Sequence, residues 1–155
     1  MAGTIVKHKA MGLAAAVTAL FVLAACAQTS EPAQGTAFNT PYDLIGTEWW
    51  VEDITGDGVV DNSRTTVGFP ADARVAGSTG CNNYTGDVSI ITDRMTFGTL
   101  AGTKRACVPA LGNQEVKFYA TVNKVKRWYV AEGNILHLTD NEGETLVRAS
   151  LITPE

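Results

Sequence analysis

From Thr47 to Ile152, apolar side chains recur mostly at every second position, in short runs separated by turn residues. A repeat of two is that of an extended strand, whose successive side chains leave opposite faces, so this stretch can bury its apolar residues only by building a sheet. In "TEWWVEDI", Trp49, Val51 and Asp53 fall on one face and Trp50, Glu52 and Ile54 on the other, giving a strand with one apolar and one mixed face. "TGDG" breaks it. "TTVGFP" and "ADARVAGS" read as short strands around a turn at Pro70. "DVSIIT" and "RMTFGTL" form a hairpin about Thr92-Asp93-Arg94, and "NILHLTD" and "ETLVRASLI" form a second one closed by "NEGE".

One segment departs from this period. "GNQEVKFYATVNKVKRW" carries Val116, Tyr119 or Ala120, Val122 and Val125 at steps of three and four, the repeat of a helix face. Asn113 is the expected N-cap, with Glu115 in the first turn and Lys124 and Lys126 in the last, which suits the helix dipole. Antiparallel strands, one helix inserted late and a closing hairpin define an α+β domain.

Before the domain, a basic start at Lys7, His8 and Lys9 precedes the run "AMGLAAAVTALFVLAAC". The run is shorter than the roughly 20 residues a helix needs to cross the hydrocarbon core, so residues 1–25 read as a secretory signal. Leu23, Ala24, Ala25 and Cys26 resemble the lipobox of bacterial lipoproteins, which implies that the Cys26 thiol receives a diacylglycerol and that Cys26 becomes the mature N-terminus. Two or three acyl chains, at about 0.8 kcal/mol for each buried methylene, would anchor the chain to a membrane without spanning it. The competing reading is an ordinary small-residue cleavage site that releases a soluble protein. Ala27 and Gln28 stand where the resemblance would place an inner-membrane retention aspartate. The expected location is therefore the cell envelope, on the outer membrane facing the periplasm if the source has one. Residues 26–41 are rich in Ser, Thr, Gly, Pro and Gln, the composition of a flexible tether, and residues 42–153 form a single domain.

Within that domain "LIGTEWWVEDITG", "VAGSTGCNNYTG", "TKRAC" and "EVKFYATVNKVKRWYVAEGNILHLTD" occur in the order seen in the META/HslJ-like domain family of bacterial envelope proteins, which the chain resembles over Leu44 to Arg148. The resemblance implies a small mixed, mainly antiparallel sheet or partial barrel with one helix packed on it. It also implies secreted or lipid-anchored proteins linked with stress or envelope phenotypes, and no established enzymatic reaction.

Candidate sites are few. Without Lys7 and Lys9, ten of the twelve basic residues face sixteen acidic ones, so the mature charge argues against nucleic acid as a partner. His137, in "ILHLT", is the mature chain's single histidine, and a general base needs a nucleophile and an orienting group that the neighbouring sequence does not supply. Asp53, Asp57, Gly58 and Asp61 match part of a calcium loop, but Arg64 occupies the position of the bidentate glutamate, so neither a metal nor another cofactor is expected.

If Cys26 takes the lipid, Cys81 and Cys107 remain in a compartment that oxidises thiols, and one bridge between them accounts for both. Asn82, Asn83 and Tyr84 are then expected to supply turn hydrogen bonds around Cys81. The alternative is two free buried thiols. Trp50, Trp128 and Tyr129 are candidates for an exposed aromatic surface that meets an envelope protein or a small ligand, with core packing as the competing reading. The function expected is that of a lipid-anchored, non-catalytic envelope protein in envelope maintenance, stress response or partner binding. A small secreted inhibitor or ligand-binding module is the alternative, and an enzyme using a Cys81 or Cys107 thiolate with His137 as base is the third.

Overall fold

The structure is a computed structural model that describes residues 40–153, so the signal, Cys26 and most of the tether lie outside the described residues. A short 3-10 helix, Pro41–Leu44, leads into β1 (Thr47–Ile54), β2 (Thr65–Ala71), β3 (Arg74–Thr79), β4 (Asn83–Ile91) and β5 (Arg94–Gly102). The helix α1 (Pro109–Val122) follows, then β6 (Arg127–Ala131), β7 (Ile135–Thr139) and β8 (Thr145–Leu151). Each strand pairs antiparallel with the next and β8 returns to β1, closing an eight-stranded barrel in chain order. This is the expected α+β class.

The alternation read from the sequence points into this barrel. Trp49 and Val51 of β1, Tyr84 and Val88 of β4, Met95 and Phe97 of β5, Leu136 and Leu138 of β7 and Val147 and Ala149 of β8 are buried together. A barrel of eight strands has an interior just wide enough for side chains to fill, so these residues are its core. Phe118 and Val122 of α1 are buried with them. Burying a side chain such as Phe118 stabilises the fold by about 1.5–3 kcal/mol.

Six sequence expectations shift. Ile54 is buried on the same side as Trp49 and Val51, because the β1–β8 register slips between Val51 and Asp53. A bulge of this kind adds a residue and turns the following side chains to the other face. The turn between β2 and β3 lies at Asp72 and Ala73, between the paired Ala71 and Arg74, with Ala73 at φ 53°; Pro70 belongs to β2. Proline sits where that pairing is irregular and its missing N–H costs no ladder bond. The helix begins at Pro109, earlier than the expected Asn113 cap, because proline is suited to a first turn that needs no N–H. Its buried residues are Gln114, Phe118, Thr121 and Val122, while Val116 is 70% exposed. Lys124 and Lys126 fall beyond the helix, and Trp128 and Tyr129 open a strand of their own, β6.

Gly77 of β3 shows how tightly the barrel wall is drawn. Its cross-strand partner is Tyr84, whose hydroxyl donates to the Thr66 carbonyl of β2 at 3.0 Å. Burial holds that phenol well above its ordinary pKa, so it stays a neutral donor. A Cβ on Gly77 would stand 2.2 Å from the Thr66 oxygen and 2.9 Å from the Tyr84 hydroxyl. Gly77→Ala is therefore expected to lower the unfolding free energy by about 2–3 kcal/mol, measured by urea denaturation, with the loss carried by a lower midpoint.

Candidate functional site

The segment "GSTGCNNYTG" lies where β3 ends and β4 begins, at the end of the barrel that α1 covers. Cys81 is bonded to Cys107 across 26 residues, with their Cα atoms 6.0 Å apart. The bridge ties this connection to the loop before α1. Closing a loop of that length contributes about 3.5 kcal/mol in the chain-entropy account. The guanidinium of Arg105 donates to the Cys81 carbonyl at 2.6 Å and holds the same loop from outside.

Beside the bridge, Asn82 is almost fully buried and uses both ends of its amide. Its oxygen accepts from Thr103 Oγ1 and from the Arg105 N–H, each at 2.8 Å, and its nitrogen donates to Glu115 at 3.3 Å. The other Glu115 oxygen accepts from Thr79 Oγ1 at 2.6 Å. Of the three residues expected to support Cys81, Asn82 does so; Tyr84 reaches across to β2, and Asn83 opens β4 with its N–H donating to Thr103 Oγ1 at 3.2 Å.

Gln114, on the first turns of α1, was not singled out by sequence, since a glutamine on a helix is ordinarily solvated. Its oxygen accepts the Val60 N–H at 2.6 Å, and its nitrogen donates to Thr65 Oγ1 at 2.8 Å and to the Thr79 carbonyl at 3.0 Å. Gly80, at φ +92°, passes so close that a Cβ there would stand 3.1 Å from the same nitrogen. The arrangement is a polar plug. It offers hydrogen bonds that are already made, and its sulfur atoms are tied up in a bridge.

The other candidates lie apart from it. His137 stands on β7, opposite Tyr129 of β6 and Arg148 of β8, and is not brought to the cysteines. Its ring stacks on Tyr129 with centroids 4.6 Å apart, and Nδ1 is 3.2 Å from Thr145 Oγ1. Burial, with help from the Arg148 charge, lowers its pKa below the ordinary 6.5.

In the acidic loop, the Asp53 carboxylate accepts the N–H groups of Gly56 and Gly58 at 2.7 and 2.8 Å. Asp57 pairs with Lys117 of α1 at 2.7 Å, and that hydrogen bond and charge lower its carboxyl pKa. Asp53 and Asp57 thus serve a turn and a helix contact, and no cluster of three or more candidate ligands occurs among the described residues.

Of the aromatic-surface candidates Trp50, Trp128 and Tyr129, Trp128 follows the competing core reading. Trp128 is only 5% exposed and its Nε1 donates to the Thr92 carbonyl at 2.9 Å, because β6 turns it into the barrel. Trp50 is half-buried with the Arg64 guanidinium 5.8 Å from its ring centre, and Tyr129 is 48% exposed against His137.

A disulfide-clamped antiparallel barrel closed at one end by a helix is thus the class of domain that this fold defines. The chain belongs to the META domain family, whose model matches residues 42–151. The fold is shared with two proteins solved by NMR. One, from Burkholderia xenovorans, is 23% identical with a TM-score of 0.62, the match covering 82% of this chain and 97% of that one. The other is 21% identical with a TM-score of 0.56, covering 71% of this chain and 93% of that one. No curated protein matches the chain.

Two measurements check these assignments. Gln114→Ala leaves the Val60 N–H and the Thr79 carbonyl without this partner, and is expected to cost about 3 kcal/mol in urea unfolding. Because the folded state holds His137 below its ordinary pKa of 6.5, the unfolded chain takes up the proton first as pH falls. The His137 contribution to stability is therefore full above 6.5 and declines below it. Compared with wild type, His137→Gln should flatten the fall of the denaturation midpoint between about pH 7 and pH 5.

Proposed function

We propose that this chain is a lipid-anchored protein of the bacterial envelope whose META domain acts as a binding module in envelope maintenance or stress response, without catalysing a reaction. The observation that carries the reading is the Cys81–Cys107 bridge built into the end of the barrel. A structural disulfide of this kind belongs to an oxidising compartment. It accords with the secretory pattern of residues 1–25 and leaves Cys26 as the cysteine outside the bridge, at the end of "LAAC". A non-catalytic role is supported by the same bridge, which removes both domain thiols as nucleophiles, and by the separate location of His137 among Tyr129, Thr145 and Arg148. Acylation at Cys26 would hold the domain at the membrane by the tether that precedes Pro41.

Membrane fractionation and intact mass spectrometry test the anchor. The wild-type chain is expected in the membrane fraction with a diacylglycerol-modified Cys26 at its N-terminus, and Cys26→Ser is expected to leave that fraction with the domain still folded. A soluble mature form that begins beyond Cys26 would overturn the anchor.

A further inference from the structure

The barrel is closed thinly at one seam. β5 and β6 share one register pair, Arg94 with Arg127, flanked by the Met95 N–H to the Lys126 carbonyl and the Trp128 N–H to the Asp93 carbonyl. Beyond Met95, β5 continues to Gly102 paired with β4 alone, and the end of α1 stands on its other side. A groove of about 470 Å³ lies there, lined by Phe97, Gly98, Thr99, Leu100, Tyr119 and Asn123. A strand with an unpaired side presents backbone N–H and C=O groups to any extended chain. Natural edges are commonly blunted by lysine, proline or inward charge, and Met95 to Gly102 contains none of these. A bulge opposite Asp87, at Gly98 and Thr99, does bend the edge and limits a docking strand to a few residues on either side of it.

Two further observations point to an occupant. The Tyr119 hydroxyl is shielded from water and is the only buried side-chain polar atom among the described residues that has no hydrogen-bond partner. Such a group costs stability unless something satisfies it. Charge is also distributed unevenly along the chain. Residues 94–127 hold seven basic residues and one acidic, while the rest of the chain holds five basic and fifteen acidic. Arg94, Lys124, Lys126 and Arg127 are placed at the start of the open edge, and Lys104 and Arg105 just beyond its end. Among the described residues Lys117 and Arg127 are ion-paired, with Asp57 and Asp93, and the others of this group have no carboxylate partner. The same distribution disfavours a second copy: antiparallel pairing of two β5 edges would set Arg94 of one against Lys104 and Arg105 of the other.

We infer that the β5 edge docks an extended peptide segment of a partner protein, added as a strand beside Phe97 to Gly102 and carrying acidic residues at its ends. Backbone hydrogen bonds along β5 supply affinity, the Tyr119 hydroxyl gains its missing partner, and the flanking cations select acidic ends. The proposal names the partner chemistry for the binding role above and rests on that role, but not on the anchor, so it is tested in solution on the oxidised chain carrying Cys26→Ser. The probe is a synthetic peptide of alternating valine and threonine with glutamates at both ends, set against the same peptide with lysines there. The expected result is binding of the glutamate peptide, with amide exchange slowed selectively between Phe97 and Gly102. Lys104→Glu combined with Lys124→Glu should weaken it about tenfold, and Tyr119→Phe about fivefold with the fold unimpaired. Equal binding of the lysine peptide, no slowing along β5, or an affinity unmoved by these substitutions overturns the inference. So does binding to phosphatidylglycerol vesicles in place of the peptide, which would assign the basic face to anionic lipid.

Discussion

An open barrel end exposes the interior to water unless something covers it, and here the cover is α1, held by buried polar groups. Gln114 touches the loop after β1, the start of β2 and the end of β3 through one amide. Asn82 and Glu115 extend that contact to the loop after β5, and the Cys81–Cys107 bridge makes the same connection covalent. Hydrogen bonds alone add little net stability, because each replaces one made to water. Their weight comes from direction: once buried, these groups tolerate one placement of the helix, and that placement carries Phe118 and Val122 into the core.

The same placement explains the uneven closure of the ring. Between β5 and β6 the chain must leave the barrel, run through α1 and return, so β6 rejoins β5 only at Arg94. The remaining length of β5 faces the end of the helix, and Gly102 meets the Tyr119 ring so closely that a Cβ would stand 2.4 Å from its hydroxyl. A plugged end and an open strand edge are thus two consequences of one insertion.

Much of the domain was legible without coordinates. The hairpin about Thr92 and Asp93 and the hairpin from β7 to β8 follow from alternation and turn residues, which act locally. Where reading failed, something non-local had intervened. The bulge after Val51 turned Ile54 inward, and β6 was absorbed into the helical pattern because Val122, Val125 and Trp128 keep a helix-like spacing across two different elements. The true buried stripe of α1 includes Gln114 and Thr121, which hydropathy cannot distinguish from solvated residues.

By itself, then, the sequence determined the class of fold and the presence of a helix between the two hairpins, and made a Cys81–Cys107 bridge one of two readings, since backbone period, turn chemistry and thiol count are properties of neighbouring residues or of the chain as a whole. Only the tertiary structure decided that the sheet closes into a full ring, that Trp128 faces inward while Tyr129 stacks on His137, and that Gln114 locks the plug. Each of these depends on residues far apart in the chain meeting at fixed distances. Whether a polar side chain is solvated or indispensable is set by what stands opposite it, and that information exists only once the barrel has closed.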